Sequence, residues 1–198
     1  MDILNYALAV LLLLVTPGPG VLSVAAVGSA FGWRPGLAYG TGLFLGSNAV
    51  MVAAAAGLAV VFDLYPSLRI AFTIVSSGYL LYIAWTVATA GSDIRFQAAE
   101  RTPGVAGGLA LQAFNPKAYA VGTFIFSNFP NLAGSAWAEF ILKMVVLNLI
   151  WVPIHIGWLG LGIGLRQLDL APRVARRINV AMAVAMVVVV LFATWTSF

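Results

Sequence analysis

The sequence predicts an all-α integral membrane protein of six transmembrane helices, built as two inverted three-helix repeats in which helices one and four are broken. Three observations predict this. Of 198 residues, 62% are hydrophobic and 8% charged, where an ordinary soluble domain carries about 25% charged residues; mean hydropathy is +1.02. Six apolar stretches alternate with short charged or turn-forming segments, and each stretch approaches the length of about 20 residues that a bilayer span needs. Proline and glycine interrupt the first and fourth stretches at similar depth.

The first stretch runs from Ile3 to Phe31 and holds Thr16-Pro17-Gly18-Pro19-Gly20 in its middle. Two prolines each remove a backbone donor and glycine admits unusual torsions, so a continuous helix is not expected there. A cleaved leader is not expected either: Asp2 stands where a basic region belongs, and the apolar run continues past the small residues Ser23 to Ala30. The second stretch, Leu37 to Phe62, follows the separator Trp33-Arg34-Pro35-Gly36; the third, Leu68 to Ala90, follows Asp63 through Pro66. The loop from Gly91 through Pro103 divides the chain. The fourth stretch, Val105 to Phe126, is broken at Asn115-Pro116-Lys117. The fifth, Ala136 to Leu165, follows Asn128 through Gly134, and the sixth, Ile178 to Trp195, follows Arg166 through Arg177. The expected organisation is one transmembrane domain over 1–198, with halves near 1–90 and 104–198 and a cytoplasmic linker at 91–103.

Charge sets the expected orientation. The loops after helices one, three and five hold Arg34, then Arg95 and Arg101, then Arg166, Arg173, Arg176 and Arg177, whereas the opposite loops hold only Arg69. Short basic loops face the cytoplasm, which places both termini outside it. The net charge of +4 is then an orientation signal with an affinity for anionic lipid, and no nucleic-acid partner is implied.

Three helices per half is an odd number, so the second half enters the membrane from the opposite side. Inverted repeats with discontinuous first helices place substrate sites near the midplane. At each break one half-helix ends in carbonyls and the next begins with amide hydrogens carrying partial positive charge, a pairing that suits a zwitterion. The amide ends near Gly18 and Lys117 suit a carboxylate, and the carbonyl ends near Leu14 and Ala113 an ammonium. Lys117 adds a full charge, and an intramembrane lysine is a functional hypothesis by default. A simple proline kink is the alternative for either break alone, and a snorkelling side chain the alternative for Lys117.

At these residues the sequence resembles the LysE/RhtB family of amino-acid exporters. The resemblance covers nearly the whole chain and rests on Thr16-Pro17-Gly18-Pro19, the glycine-rich segment Gly32 to Gly46 with Arg34 and Gly36, Gly78-Tyr79-Leu80 with Tyr82 and Trp85, and Asn115-Pro116-Lys117-Ala118. It implies a secondary transporter that exports amino acids or related metabolites from a bacterial cytoplasm on the proton gradient, with Pro17, Gly18, Pro19, Asn115, Pro116 and Lys117 matching the family's motif residues. The sequence departs from some members where they carry an acidic residue on the second helix, having Gly46-Ser47-Asn48 instead. Its last helix, Ala181 to Leu191, is almost wholly aliphatic.

Other polar residues divide between packing and function. Asn48 and Asn148 are candidate substrate contacts, with interhelical hydrogen bonding as their alternative. His155 is a candidate proton carrier, since imidazole titrates near neutrality; a structural role is its alternative. One histidine and no cysteine make no transition-metal shell of the usual kind, and no cofactor is implied. Glu139 and Lys143, four apart near the outer start of helix five, are expected to pair at the interface, with a place lining the exit as the alternative. Gly28/Gly32, Gly36/Gly40, Gly42/Gly46 and Gly160/Gly164 have the spacing of close helix approach, for packing, for a homodimer contact or for a sliding surface. Trp33, Tyr65, Trp137 and Trp195 read as interface anchors. Serine, zinc and phosphate-loop motifs are absent from the sequence, so no enzyme is expected; an intramembrane pairing of Ser47 or Ser127 with His155 has no spacing to recommend it.

The expected function is export of a small neutral amino acid by alternating access at the inner membrane. The candidate substrate residues are Thr16, Pro17, Gly18, Pro19, Asn48, Asn115, Pro116, Lys117 and Asn148, with His155 coupling protons. The alternative is a carrier or binder of lipid or a metal cation on similar broken helices.

Overall fold

The computed structural model describes backbone at residues 3–16, 18–57, 102–129 and 132–167, and individual positions between 64 and 88 and between 173 and 188. Among these residues six helices are continuous. They are α1 (Ile3–Val15), α2 (Pro19–Phe31), α3 (Trp33–Ala55), α4 (Gly104–Ala113), α5 (Pro116–Asn128) and α6 (Ala136–Gln167). Every described position from 67 to 88 and from 173 to 188 is helical as well. Helix is what an apolar solvent dictates, because each backbone donor and acceptor must find its partner within the segment.

Among the described residues α3 and α6 are long and apolar enough to cross a membrane, and α1 and α2 taken together as one bent pair are so as well. The axes of α1 and α2 differ by 51°. Both breaks arise from one rule: the residue before a proline is pushed out of the helical region. Gly18 precedes Pro19 and is extended, at φ −157° and ψ 178°; Asn115 precedes Pro116 and is extended, at φ −78° and ψ 106°. Each proline then opens a new helix of 13 residues, in its first turn, where the missing N–H costs nothing.

The segment Trp33-Arg34-Pro35-Gly36, expected as a loop, is instead the first turn of α3. A single residue, Gly32, joins α2 to α3 at φ 87°, closing α2 with its N–H on the Gly28 carbonyl at 2.9 Å and receiving the Gly36 N–H at 3.0 Å. Only glycine takes that conformation without strain, and proline three residues into a helix still has no intrahelical bond to lose. Likewise Arg166, expected in a loop, falls in the last turn of α6. The expected linker at 91–103 lies outside the described residues but for its last two.

Helices of the two halves pack on each other. The most extensive contacts are α3 with α4 and α2 with α6; α3 also meets α5, α1 meets α6 and α5, α2 meets α4, and α3 meets α6. Exchanging the halves, so that α1, α2 and α3 trade places with α4, α5 and α6, returns the same set of inter-half pairs. Without a hydrophobic drive between helices in lipid, such contacts depend on close van der Waals approach. Gly42 and Gly108 supply it between α3 and α4: a Cβ on Gly42 would overlap the Val105 carbonyl, and one on Gly108 the Tyr39 carbonyl. Gly28 and Gly36 seat Leu159, and Gly162 seats the Ala25 carbonyl. Among the described residues the expected pair Gly160/Gly164 has no neighbour within 4 Å of a would-be Cβ, whereas Gly162 makes a close approach.

Candidate functional site

The two breaks face one cavity of about 40 Å³ of room for water centres, enough for a few waters and no more. Its wall takes Gly18, Gly20 and Val21 from the first break, Gln112, Asn115 and Lys117 from the second, Ser47 from α3 and Trp151 and His155 from α6.

Lys117, in the first turn of α5, reaches across to the first break and donates from Nζ to the Thr16 carbonyl. Its stem covers Gly18, where a Cβ would stand 2.7 Å from Lys117 Cδ and 3.1 Å from Nζ. Lys117 is half-buried. An ammonium has three hydrogens to give, and among the described residues Thr16 accepts the only one.

The two helix starts differ in how they are capped. Asn115 Oδ1 accepts the Lys117 N–H at 3.1 Å, so α5 is capped by its own side chain. Gly18 has no side chain, and α2 has no side-chain cap. Pro19 has no N–H and the Leu22 N–H already bonds the Gly18 carbonyl at 3.1 Å, which leaves the amides of Gly20 and Val21, both in the cavity wall, without an acceptor among the described residues. These amides, with the helix dipole behind them and the Lys117 ammonium beside them, make an anion site. The carbonyl ends are partly satisfied from within: Thr16 Oγ1 donates to Leu12 at 2.7 Å, and Tyr119 Oη to Ala113 at 2.6 Å.

A hydrogen-bonded chain crosses the cavity wall. Asn115 Nδ2 donates to Gln112 Oε1 at 3.0 Å, and Gln112 Nε2 donates to Ser47 Oγ at 2.7 Å. Both amides are buried, at 4% and 7% exposure, so this chain fixes their orientation. Ser47 thus pairs with Gln112, not with His155. His155 lies 2.9 Å by Nδ1 from the Trp151 carbonyl and stacks on the Trp151 ring at 3.5 Å. A carbonyl only accepts, so Nδ1 carries the hydrogen and Nε2 of the neutral ring presents a lone pair. That nitrogen points at Gly20, whose would-be Cβ would stand 3.5 Å from both His155 Nε2 and Gln112 Oε1. The missing side chain of Gly20 leaves open the space between these acceptors. Among the described residues the lining holds one formal charge, that of Lys117, and no carboxylate.

Of the residues expected from sequence, Gly18, Asn115, Lys117 and His155 line the cavity; Thr16 meets Lys117 through its carbonyl without lining it, Pro19 and Pro116 open α2 and α5, and Pro17 lies outside the described residues. Asn48 and Asn148 lie apart, hydrogen-bonded to each other beside an open apolar groove on α3 and α6. Gly20, Gln112 and Trp151 were not expected. Gln112 carried a usable signal, a polar amide inside an apolar run three residues before Asn115; Trp151 looked like any membrane aromatic.

No curated protein and no solved structure matches the chain. A family model does, that of the LysE type translocators, over residues 11–196. The chain therefore belongs to the LysE type translocator family, membrane proteins that transport amino-acid-type substrates and are not an enzyme family.

Proposed function

We propose that this translocator exports small neutral amino acids from the bacterial cytoplasm across the inner membrane in exchange for protons. The basic loops face the cytoplasm and both termini face outward, and the two breaks form the binding site that alternates between the two sides. The observation that carries this reading is the pairing of the uncapped amides of Gly20 and Val21 with Lys117, opposite the free lone pair of His155 Nε2. The amides and Lys117 take the carboxylate. His155 Nε2 and Gln112 Oε1 take the ammonium. A cationic side chain would meet Lys117 with no counter-ion in the lining, which disfavours lysine and arginine as cargo.

Proton coupling follows from the same nitrogen. Nε2 accepts either a proton or a hydrogen bond from the substrate ammonium, never both. A proton arriving from the outside converts the acceptor into a cationic donor and expels the ammonium; its departure to the cytoplasm restores the acceptor. Acid outside therefore drives export.

Efflux of labelled glycine, alanine, leucine, lysine and arginine from cells expressing the protein tests this. The neutral amino acids are expected to leave and the cationic ones to stay. Lys117→Ala is expected to cut efflux about 10- to 100-fold, the worth of a charge-assisted hydrogen bond. Unchanged efflux in that variant removes the carboxylate anchor and the reading with it.

A further inference from the structure

Lys143 is 2% exposed, yet it lies only seven residues from the start of α6, roughly 10 Å along the helix. A lysine that close to a helix end ordinarily runs its ammonium out to the interface. Lys143 turns inward instead. Its ammonium pairs with Glu139 Oε1 at 2.7 Å and stands 5.4 Å from the centre of the Phe126 ring. Tyr6 of α1 donates its hydroxyl to the Lys143 carbonyl at 2.9 Å and meets Phe129 edge-on at 5.5 Å. The start of α1, the end of α5 and the start of α6 thus close on an ion pair in which Lys143 is buried and Glu139 half-buried. The pair forms as expected, with Lys143 packed against the neighbouring helices.

Such a pair contributes little to stability, because desolvation offsets the attraction, whereas removing one partner strands a buried charge. A stability role therefore explains it poorly. Its position explains more. Lys143, Leu147, Trp151 and His155 follow at four-residue intervals and form one stripe along α6, and the last three line the cavity. Leu147, 1% exposed, separates the cavity from Lys143.

The geometry points to Glu139 and Lys143 as the outer gate of the export path and as an exit subsite for a zwitterion. With the gate shut, the two side chains satisfy each other. As it opens, the substrate carboxylate takes Lys143 and its ammonium takes Glu139, so both charges stay paired while the amino acid passes. The empty transporter has no such substitute and its gate stays closed, which prevents leakage. Both the gate, through its outward orientation, and the exit subsite rest on the transport reading above.

The chain contains no cysteine, so Val121→Cys places a single thiol on the cavity wall. Its modification by a membrane-impermeant thiosulfonate added outside intact cells reports gate opening. With Glu139 and Lys143 intact, labelling is expected to be slow, and L-alanine or L-leucine to speed it where ethylamine and isoamylamine, which lack the carboxylate, do not. Glu139→Gln is expected to label about tenfold faster without substrate, since the stranded Lys143 charge penalises the closed state, and Lys143→Met to label faster than the parent because the tie between the two side chains is gone. In both, the amino acids should add nothing. The reversed pair, Glu139→Lys with Lys143→Glu, is expected to return to slow labelling; should Lys143→Met not fold, Glu139→Gln and the reversed pair carry the comparison. Native-rate labelling in the single variants, or fast labelling in the reversed pair, overturns the gate, and an equal effect of the amines overturns the exit subsite. The site reading fails separately, through undiminished efflux in Lys117→Ala, which leaves the labelling comparison intact.

Discussion

Asn48 of α3 and Asn148 of α6 hold each other by two hydrogen bonds, each amide nitrogen donating to the other's side-chain oxygen at 3.2 Å and 2.9 Å. The pair joins the third helix of one half to the third helix of the other, the contact that exchange of the halves leaves in place. Both amides are half-buried, and Asn48 Nδ2 donates to the Phe44 carbonyl as well, at 2.9 Å. Replacing either asparagine by leucine is expected to lower stability by about 1 kcal/mol, and the double replacement by less than the sum, because no amide is then left without a partner. Thermal unfolding of the four proteins in detergent gives the cycle, and strict additivity would show that the two bonds contribute nothing.

Gly20→Ala separates function from folding. A Cβ at Gly20 meets Gln112 Oε1 and His155 Nε2 at 3.5 Å, an ordinary contact that asks no neighbour to move. Alanine also favours helix over glycine by about 1 kcal/mol. The variant is expected to be at least as stable as the parent while its efflux falls at least about tenfold, the methyl standing where the substrate ammonium belongs. Parental efflux together with parental stability would place the substrate elsewhere.

His155→Gln keeps a hydrogen-bond acceptor and removes the titrating group. In vesicles with an imposed pH gradient, the parent is expected to move labelled alanine faster toward the acid side, and the variant to move it only down its own gradient. The gradient-driven component should fall by about tenfold or more, the usual size of a lost proton-transfer group. Gradient-driven transport at the parental rate would assign coupling to another residue.

Gly42→Ala and Gly108→Ala press a methyl into the opposing backbone, where no side-chain movement relieves the overlap. Each is expected to cost about 3 kcal/mol, the upper end for overpacking, and to reduce the yield of folded protein. Gly160→Ala, with nothing within 4 Å of the added methyl, serves as the comparison and is expected to fold as the parent does. Size-exclusion profiles in detergent read both outcomes.

Both helix breaks could be read from the sequence because their cause is local: an X-Pro step acts on the residue before it, whatever the tertiary setting. The start of α3 misled for a related reason. Arg34, Pro35 and Gly36 carry the composition of a loop, but the first turn of a helix asks for none of the N–H groups that proline lacks. Lys117 stood out because charge is scarce in the chain, and its proximity to Thr16 follows from two breaks at one depth. What the sequence could not give was partnership between distant positions, 65 apart for Ser47 and Gln112 and 137 apart for Tyr6 and Lys143. Nothing near Gln112 says that Ser47 is its acceptor, and nothing near Lys143 says that Tyr6 and Phe126 bury it. Asn48 and Asn148 likewise read as candidate substrate contacts until their distance to each other is known.

The interlocking of α3 with α4 through Gly42 and Gly108 bears on biogenesis. When α3 leaves the ribosome, the backbone that will receive its glycine face has not been made, and roughly 50 further residues must follow before α4 emerges. At about 5–20 residues per second, α3 waits for some seconds in lipid or in the insertion machinery with that face unfilled. Insertion and assembly are therefore separate events for this chain. A fragment ending before α4 would insert but have nothing to close on, a natural target for membrane quality-control proteases.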